Sequence, residues 1–128
     1  MSFDRTMDGW SEGHDGAELT ACGETMAVIR KKALLRILAR HDAHRVGIEV
    51  TDADLQATSD LFRRSFGLVE DEDFSCWIEC QGLTKFTFAR AMHDFTVVRL
   101  LEEAYAAEID QLAPDQIAIS TARYRSSA

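Results

Sequence analysis

Two cysteines four residues apart, Cys76 and Cys80 in "DFSCWIECQG", are the first residues whose types and spacing could do chemistry. Two thiolates could supply half of a tetrahedral site for a soft metal such as zinc, with Cys22 or His93 completing it. They could also work as a redox pair. An intrahelical disulfide is disfavoured, because helical neighbours at this spacing keep their Cβ atoms about 5–6 Å apart, whereas a disulfide wants about 3.5–4.5 Å. Free cysteine packs readily as a small hydrophobe, and C-x₃-C is weaker metal grammar than paired C-x₂-C motifs. The leading expectation for Cys76 and Cys80 is therefore buried or semi-buried packing. Metal or redox activity is the rival.

The other titratable groupings carry less. His41, Asp42 and His44 fall within "HDAH", at a predicted helix C-terminus where the macrodipole favours His. That pattern reads as capping and surface chemistry. His93 and Asp94 are sequence neighbours inside a predicted helix, and such neighbours point about 100° apart, which spoils them as a catalytic pair. The sequence contains no G-x-S-x-G elbow, phosphate loop or dinucleotide fingerprint. It makes no positive case for an enzyme, and no cofactor is expected.

The elements that must position these residues follow from composition and periodicity. The chain of 128 residues has one proline, seven glycines and 46% apolar residues, which suits one helical domain rather than a sandwich of short strands. Its net charge of −8 argues against nucleic acid as a partner. Nine acids lie between 49 and 79 against two arginines, while 27 to 45 holds six bases against Asp42. Internal pairing is the expected use of that asymmetry. With no signal-like leader, no apolar run of membrane-spanning length and an odd cysteine count, the expectation is a cytoplasmic protein with reduced thiols and no membrane partner.

Residues 1–22 read as a flexible polar arm, with Phe3 and Trp10 as possible anchors. A helical domain is expected over 23–113, followed by a tail over 114–128 that could be helix, docking strand or frayed end. Met26, Ile29, Ala33, Leu34, Ile37 and Leu38 draw one apolar face on a helix over 24–40, ending before Gly47. Thr51 and Asp54 make a near capping box for a helix over 52–66, with Leu55, Leu61 and Phe62 buried. A short acidic-fronted helix over 71–81 packs through Phe74, Trp77 and Ile78. Thr84 then caps a long helix over 84–112 that Pro114 closes. The expected fold is all-α, with four or five helices in a single domain.

The span from Gly47 to Leu101 resembles the N-terminal helical chaperone domain of SurA-type peptidyl-prolyl isomerases and, more distantly, the substrate-binding helices of trigger factor. The residues that carry the likeness are Gly47, Ile48, Val50, Thr51 and Asp52 at the helix entry, then Trp77 and Ile78, Gly82, Leu83 and Thr84, then Phe88, Arg99 and Leu100. No parvulin-type domain follows in this sequence, so the resemblance implies a fold and a habit of holding peptide, not isomerase activity. It suggests a non-enzymatic chaperone-like or accessory binding protein with a peptide or protein client.

Candidate client-binding residues are the aromatic and apolar set Trp77, Phe86, Phe88, Met92, Phe95 and Tyr105. Phe86 stands apart, because it lies about 200° around the helix from Phe88 and is left over from the core face. The long helix should project beyond the body, leaving Val97, Leu101, Tyr105 and Ile109 near an uncovered end. A homodimer is the expected way to cover them, and a purely structural dimer subunit is the third reading.

Overall fold

The computed structural model describes residues 20–127, without the side chains of the first and the last three, and the fold is all-α. A two-residue antiparallel pair, β1 (Thr20–Ala21) and β2 (Glu24–Thr25), precedes five helices: α1 (Met26–Val46), α2 (Asp52–Ser65), α3 (Asp71–Cys80), α4 (Lys85–Ala104) and α5 (Ala106–Ser127). The proposed anchors Phe3 and Trp10 lie outside the described residues.

Each helix start has a visible cause. Thr25 Oγ1 accepts the Val28 N–H at 3.2 Å and opens α1. Thr51 and Asp54 form the reciprocal capping box that their spacing predicts, and Thr84 and Thr87 form a second one at α4. Three acids occupy the first turn of α3, where the helix dipole favours them.

Two boundaries differ from expectation. The first helix does not end at residue 40. "HDAHRV" contains no breaker, so α1 continues to Val46 and stops at Gly47, whose φ of 75° closes the helix in the left-handed region. A Cβ at Gly47 would meet nothing within 4 Å, so substitution there strains only the backbone. Gly47→Ala is expected to cost about 1–2 kcal/mol, the left-handed penalty for an L-residue, in urea unfolding followed by circular dichroism. A loss above twice that range would mean that Gly47 does more than turn the chain.

The long helix, conversely, is not closed by Pro114. It kinks at Tyr105, which leaves helical dihedrals (φ −104°, ψ 18°), and then continues as α5 straight through the proline. Proline removes one helical N–H, but α5 is exposed on nearly every side, so water can solvate the freed carbonyl.

Helix α4 is the axle of the body. One end packs Phe88 and Met92 with Ile78, against Phe62 on α2 and Phe74 and Trp77 on α3. Further along, Val97 packs with Ala39 and Ala43 of α1, flanked by Ile48, Val50, Val98 and Leu101. Val97 is 2% exposed, which corrects its expected place at an uncovered end.

The largest departure is the face that α1 turns inward. Leu34, Ile37 and Leu38, expected in the core, are each about half exposed (51%, 49% and 54%). The side facing α4 is built from the small residues Ala39 and Ala43, with Arg36 and Arg40 reaching the same partner helix. Leu61, also expected to be buried, is 57% exposed. No described helix is long and apolar enough to cross a membrane.

Candidate functional site

α1 and α4 run side by side in the same direction. Arg36 pairs with Asp94 near one end of the contact, and Asp42 and Arg45 meet Tyr105 near the other. Because small alanines sit at the contact, the helices approach closely, and the larger side chains on their flank diverge into a groove of about 730 Å³. Leu35 and Leu38 line one wall. Val98, Leu101 and Tyr105 line the other, and Ile109 extends it onto α5. His41, Asp42, Arg45 and Glu102 supply the polar rim.

The rim is ordered by one network. Tyr105 donates its hydroxyl hydrogen to Asp42 Oδ2 at 2.8 Å, and Arg45 Nη2 donates to the same Tyr105 oxygen at 3.0 Å. Arg45 also holds Asp42 Oδ1 through Nε at 3.0 Å and through Nη2. The hydrogen bond from Tyr105, followed by that from Arg45, holds the Asp42 carboxyl below its ordinary range. The same bond to Asp42 pushes the Tyr105 phenol up, because ionisation would break it. The network pins the end of α1 to the kink at Tyr105, which fixes the mouth of the groove.

Behind the groove lies a buried charge. Asp94 is fully buried and takes Arg36 Nε on Oδ2 at 2.7 Å, Arg40 Nε on Oδ1 at 2.7 Å and Arg40 Nη2 on Oδ2 at 2.6 Å. Burial alone would raise its carboxyl, but the hydrogen bonds from Arg40 and Arg36 outweigh that and hold it low. Next to it, buried Thr96 donates to the Met92 carbonyl at 2.8 Å and lies 2.6 Å from Thr58 Oγ1 on α2. These contacts set how α1, α2 and α4 register against one another.

The expected client-binding set is not gathered in one place. Trp77, Phe88 and Met92 belong to the second core cluster. Phe88 and Met92 are buried, so a bound segment could reach neither without opening the body. Phe86 is 71% exposed, with the Arg90 guanidinium 5.9 Å from its ring centroid, and Phe95 is 41% exposed beside Arg36. Tyr105 alone of the six lines the groove. The groove residues that sequence reasoning missed, Leu35 and Leu38 with Asp42 and Arg45, occur on α1 about one turn apart. Their signal was the run of leucines that no single buried face of α1 could absorb.

The thiols sit elsewhere. Cys76 and Cys80 are exposed, which corrects the expectation of packing. α3 is a short surface helix that spends its inward face on Phe74, Trp77 and Ile78, leaving the cysteines on the far side. His93 is exposed on α4, and no group of three or more His, Cys, Asp or Glu that could hold a metal ion occurs among the described residues. Four of the bases of α1 pair inside the chain, though not with the acids of 49–79: Lys32 takes Glu24, Arg36 and Arg40 take Asp94, and Arg45 takes Asp42.

The chain matches no family model, no characterised protein and no solved structure.

Proposed function

We propose that this protein is a non-enzymatic, chaperone-like accessory module that holds an apolar helical segment of a client protein in the groove between α1 and the α4–α5 kink. The observation that carries this reading is the groove itself: an apolar floor between Leu35, Leu38, Leu101 and Tyr105, bounded by a rim of opposite charges. An amphipathic helix presents apolar anchors one turn apart and polar residues beside them, which matches such a floor and rim. The resemblance to SurA-type helical domains points the same way. Half-exposed leucines are costly to leave in water, and a binding surface is a reason to keep them there.

The test is titration with a fluorescently labelled leucine–lysine amphipathic peptide, followed by anisotropy, with a reduced and alkylated unfolded protein as a second probe. Leu38→Asp, at a position 54% exposed, should leave the fold intact by circular dichroism and weaken peptide binding at least tenfold. Phe86→Ala, outside the groove, should leave binding unchanged. Equal binding by wild type and Leu38→Asp, or no binding of either probe by the wild type, would overturn the reading.

A further inference from the structure

Helix α5 is 22 residues long, about 33 Å at ~1.5 Å per residue, and every residue from 106 to 124 is exposed except Ala113. A solitary solvated helix of that length, interrupted by Pro114, is marginal in water. It nevertheless carries a continuous apolar face, on which Leu112 and Ile117 are each 64% exposed and Tyr124 is 74% exposed.

The order of residues along that face suits a particular kind of cover. Take the point midway between Gln116 and Ile117 and reverse the helix about it. Ile109 then falls level with Tyr124, Leu112 with Thr121, and Ala113 with Ser120. Gln116 meets Ile117 at the centre, the small pair Ala113 and Ser120 flanks it on either side and lets the two helices approach, and the larger Leu112 and Ile109 meet Thr121 and the Tyr124 ring further out. Such self-complementarity under reversal is what an isologous two-fold contact requires.

Charge gives the same orientation. Glu108 and Asp110 lie at the start of α5, and Arg123 lies near its end. Antiparallel pairing sets the acidic end of one helix beside the basic end of the other, whereas parallel pairing would set like charges together.

We infer that a second copy of this chain covers α5, and that the two α5 helices pair antiparallel about a two-fold axis between Gln116 and Ile117. The contact is one helix pair wide, so it buries on the order of 1,000 Å² in total, the low end for a specific interface. The dimer should therefore dissociate on dilution. The pairing face shares Ile109 with the client groove, but the inference goes beyond that groove and rests on residues 112 to 124 of α5.

Two measurements test it on the full chain. Light scattering over a dilution series should pass from twice the 14.4 kDa chain mass towards the mass of one chain. Ile117→Asp, which brings two carboxylates together at the axis, should be monomeric at every concentration while Trp77 keeps its wild-type emission in a Trp10→Phe background. The geometry is read separately, in a background with the exposed Cys22, Cys76 and Cys80 changed to serine. Gln116→Cys lies beside its own counterpart and should form a disulfide-linked dimer under mild oxidation. Leu112→Cys, displaced from its counterpart by about 13 Å at ~1.5 Å per residue, should not.

A wild-type chain that is monomeric throughout would overturn the inference, as would a dimer untouched by Ile117→Asp. Cross-linking of Leu112→Cys as readily as Gln116→Cys would indicate a parallel pair and overturn it too. Peptide binding in the groove is measured independently, so failure of either idea is distinguishable from failure of the other.

Discussion

Replacing Arg36 and Arg40 together with methionine is expected to destabilise the fold by about 3–5 kcal/mol, the usual consequence of stripping a buried charge of its partners. Asp94 is fully buried, and three hydrogen bonds from these arginines hold its carboxylate. The arginine side chains are 31% and 42% exposed, so water screens them and they lose little on their own account. The cost resides with the carboxylate. Asp94→Asn should therefore cost less, about 1–3 kcal/mol, because it leaves two partly solvated cations rather than one dry anion.

The pH dependence should change sign between the two proteins. In the wild type, Asp94 is held below its ordinary carboxyl value, so its contribution is present above about pH 4 and fades as pH falls through the lowered folded value. Without the arginines, burial alone acts and raises the folded value. The unfolded chain then ionises more readily than the folded one, and stability is lost as pH rises through that raised value. Urea unfolding by circular dichroism, carried from well below the ordinary carboxyl value of about 4 up to neutral pH, reads both effects. A double variant within 0.5 kcal/mol of wild type, or one costing less than Asp94→Asn, would show that Asp94 does not depend on these two arginines.

Much of the architecture was legible because local rules and packing agree. The capping box at Thr51, the cap at Thr84 and the inward face of α3 all follow from residue type and spacing, and the structure places them where those rules do. Three features were not legible, each for a definite reason. α1 is apolar on more than one side, and periodicity selects the strongest stripe without saying which stripe meets α4. The small face of Ala39 and Ala43 won because α4 must come close enough for Arg36 and Arg40 to grip Asp94.

Asp94 itself had a signal. Its helical neighbours are Arg90, Ala91, Val97 and Val98, mostly apolar, and it faces a helix with arginines four residues apart. Read only against His93, it looked inert. The run through Pro114 was missed because the proline rule is calibrated on helices with neighbours, and a carbonyl facing water does not need the lost bond. For the site, Tyr105 was found and its partners Asp42 and Arg45 were not, since they meet across about sixty residues of chain.

Phe88→Ala is expected to be the most damaging single substitution, costing about 3–5 kcal/mol by lost burial and the cavity left behind. Phe88 is 8% exposed and stands where three helices meet. Its ring lies 5.5 Å from Phe62 of α2, 4.8 Å from Phe74 of α3 and 6.2 Å from Trp77 of α3, each in an edge-on arrangement. Only seven apolar residues are buried in the described chain, so the core has little reserve to redistribute. α3 touches the body chiefly through this cluster, and its collapse into the vacancy is opposed by Arg63, which fixes the preceding loop through the Leu68 and Val69 carbonyls at 2.8 and 2.9 Å. Against a total stability of about 5–15 kcal/mol, the substitution should bring the midpoint of urea unfolding close to half its wild-type value. Trp77 fluorescence in a Trp10→Phe background is the readout. Phe86→Ala, two residues away but 71% exposed, is the control and should cost less than about 0.5 kcal/mol. Equal losses at the two positions would mean that Phe88 is not the residue joining α2, α3 and α4.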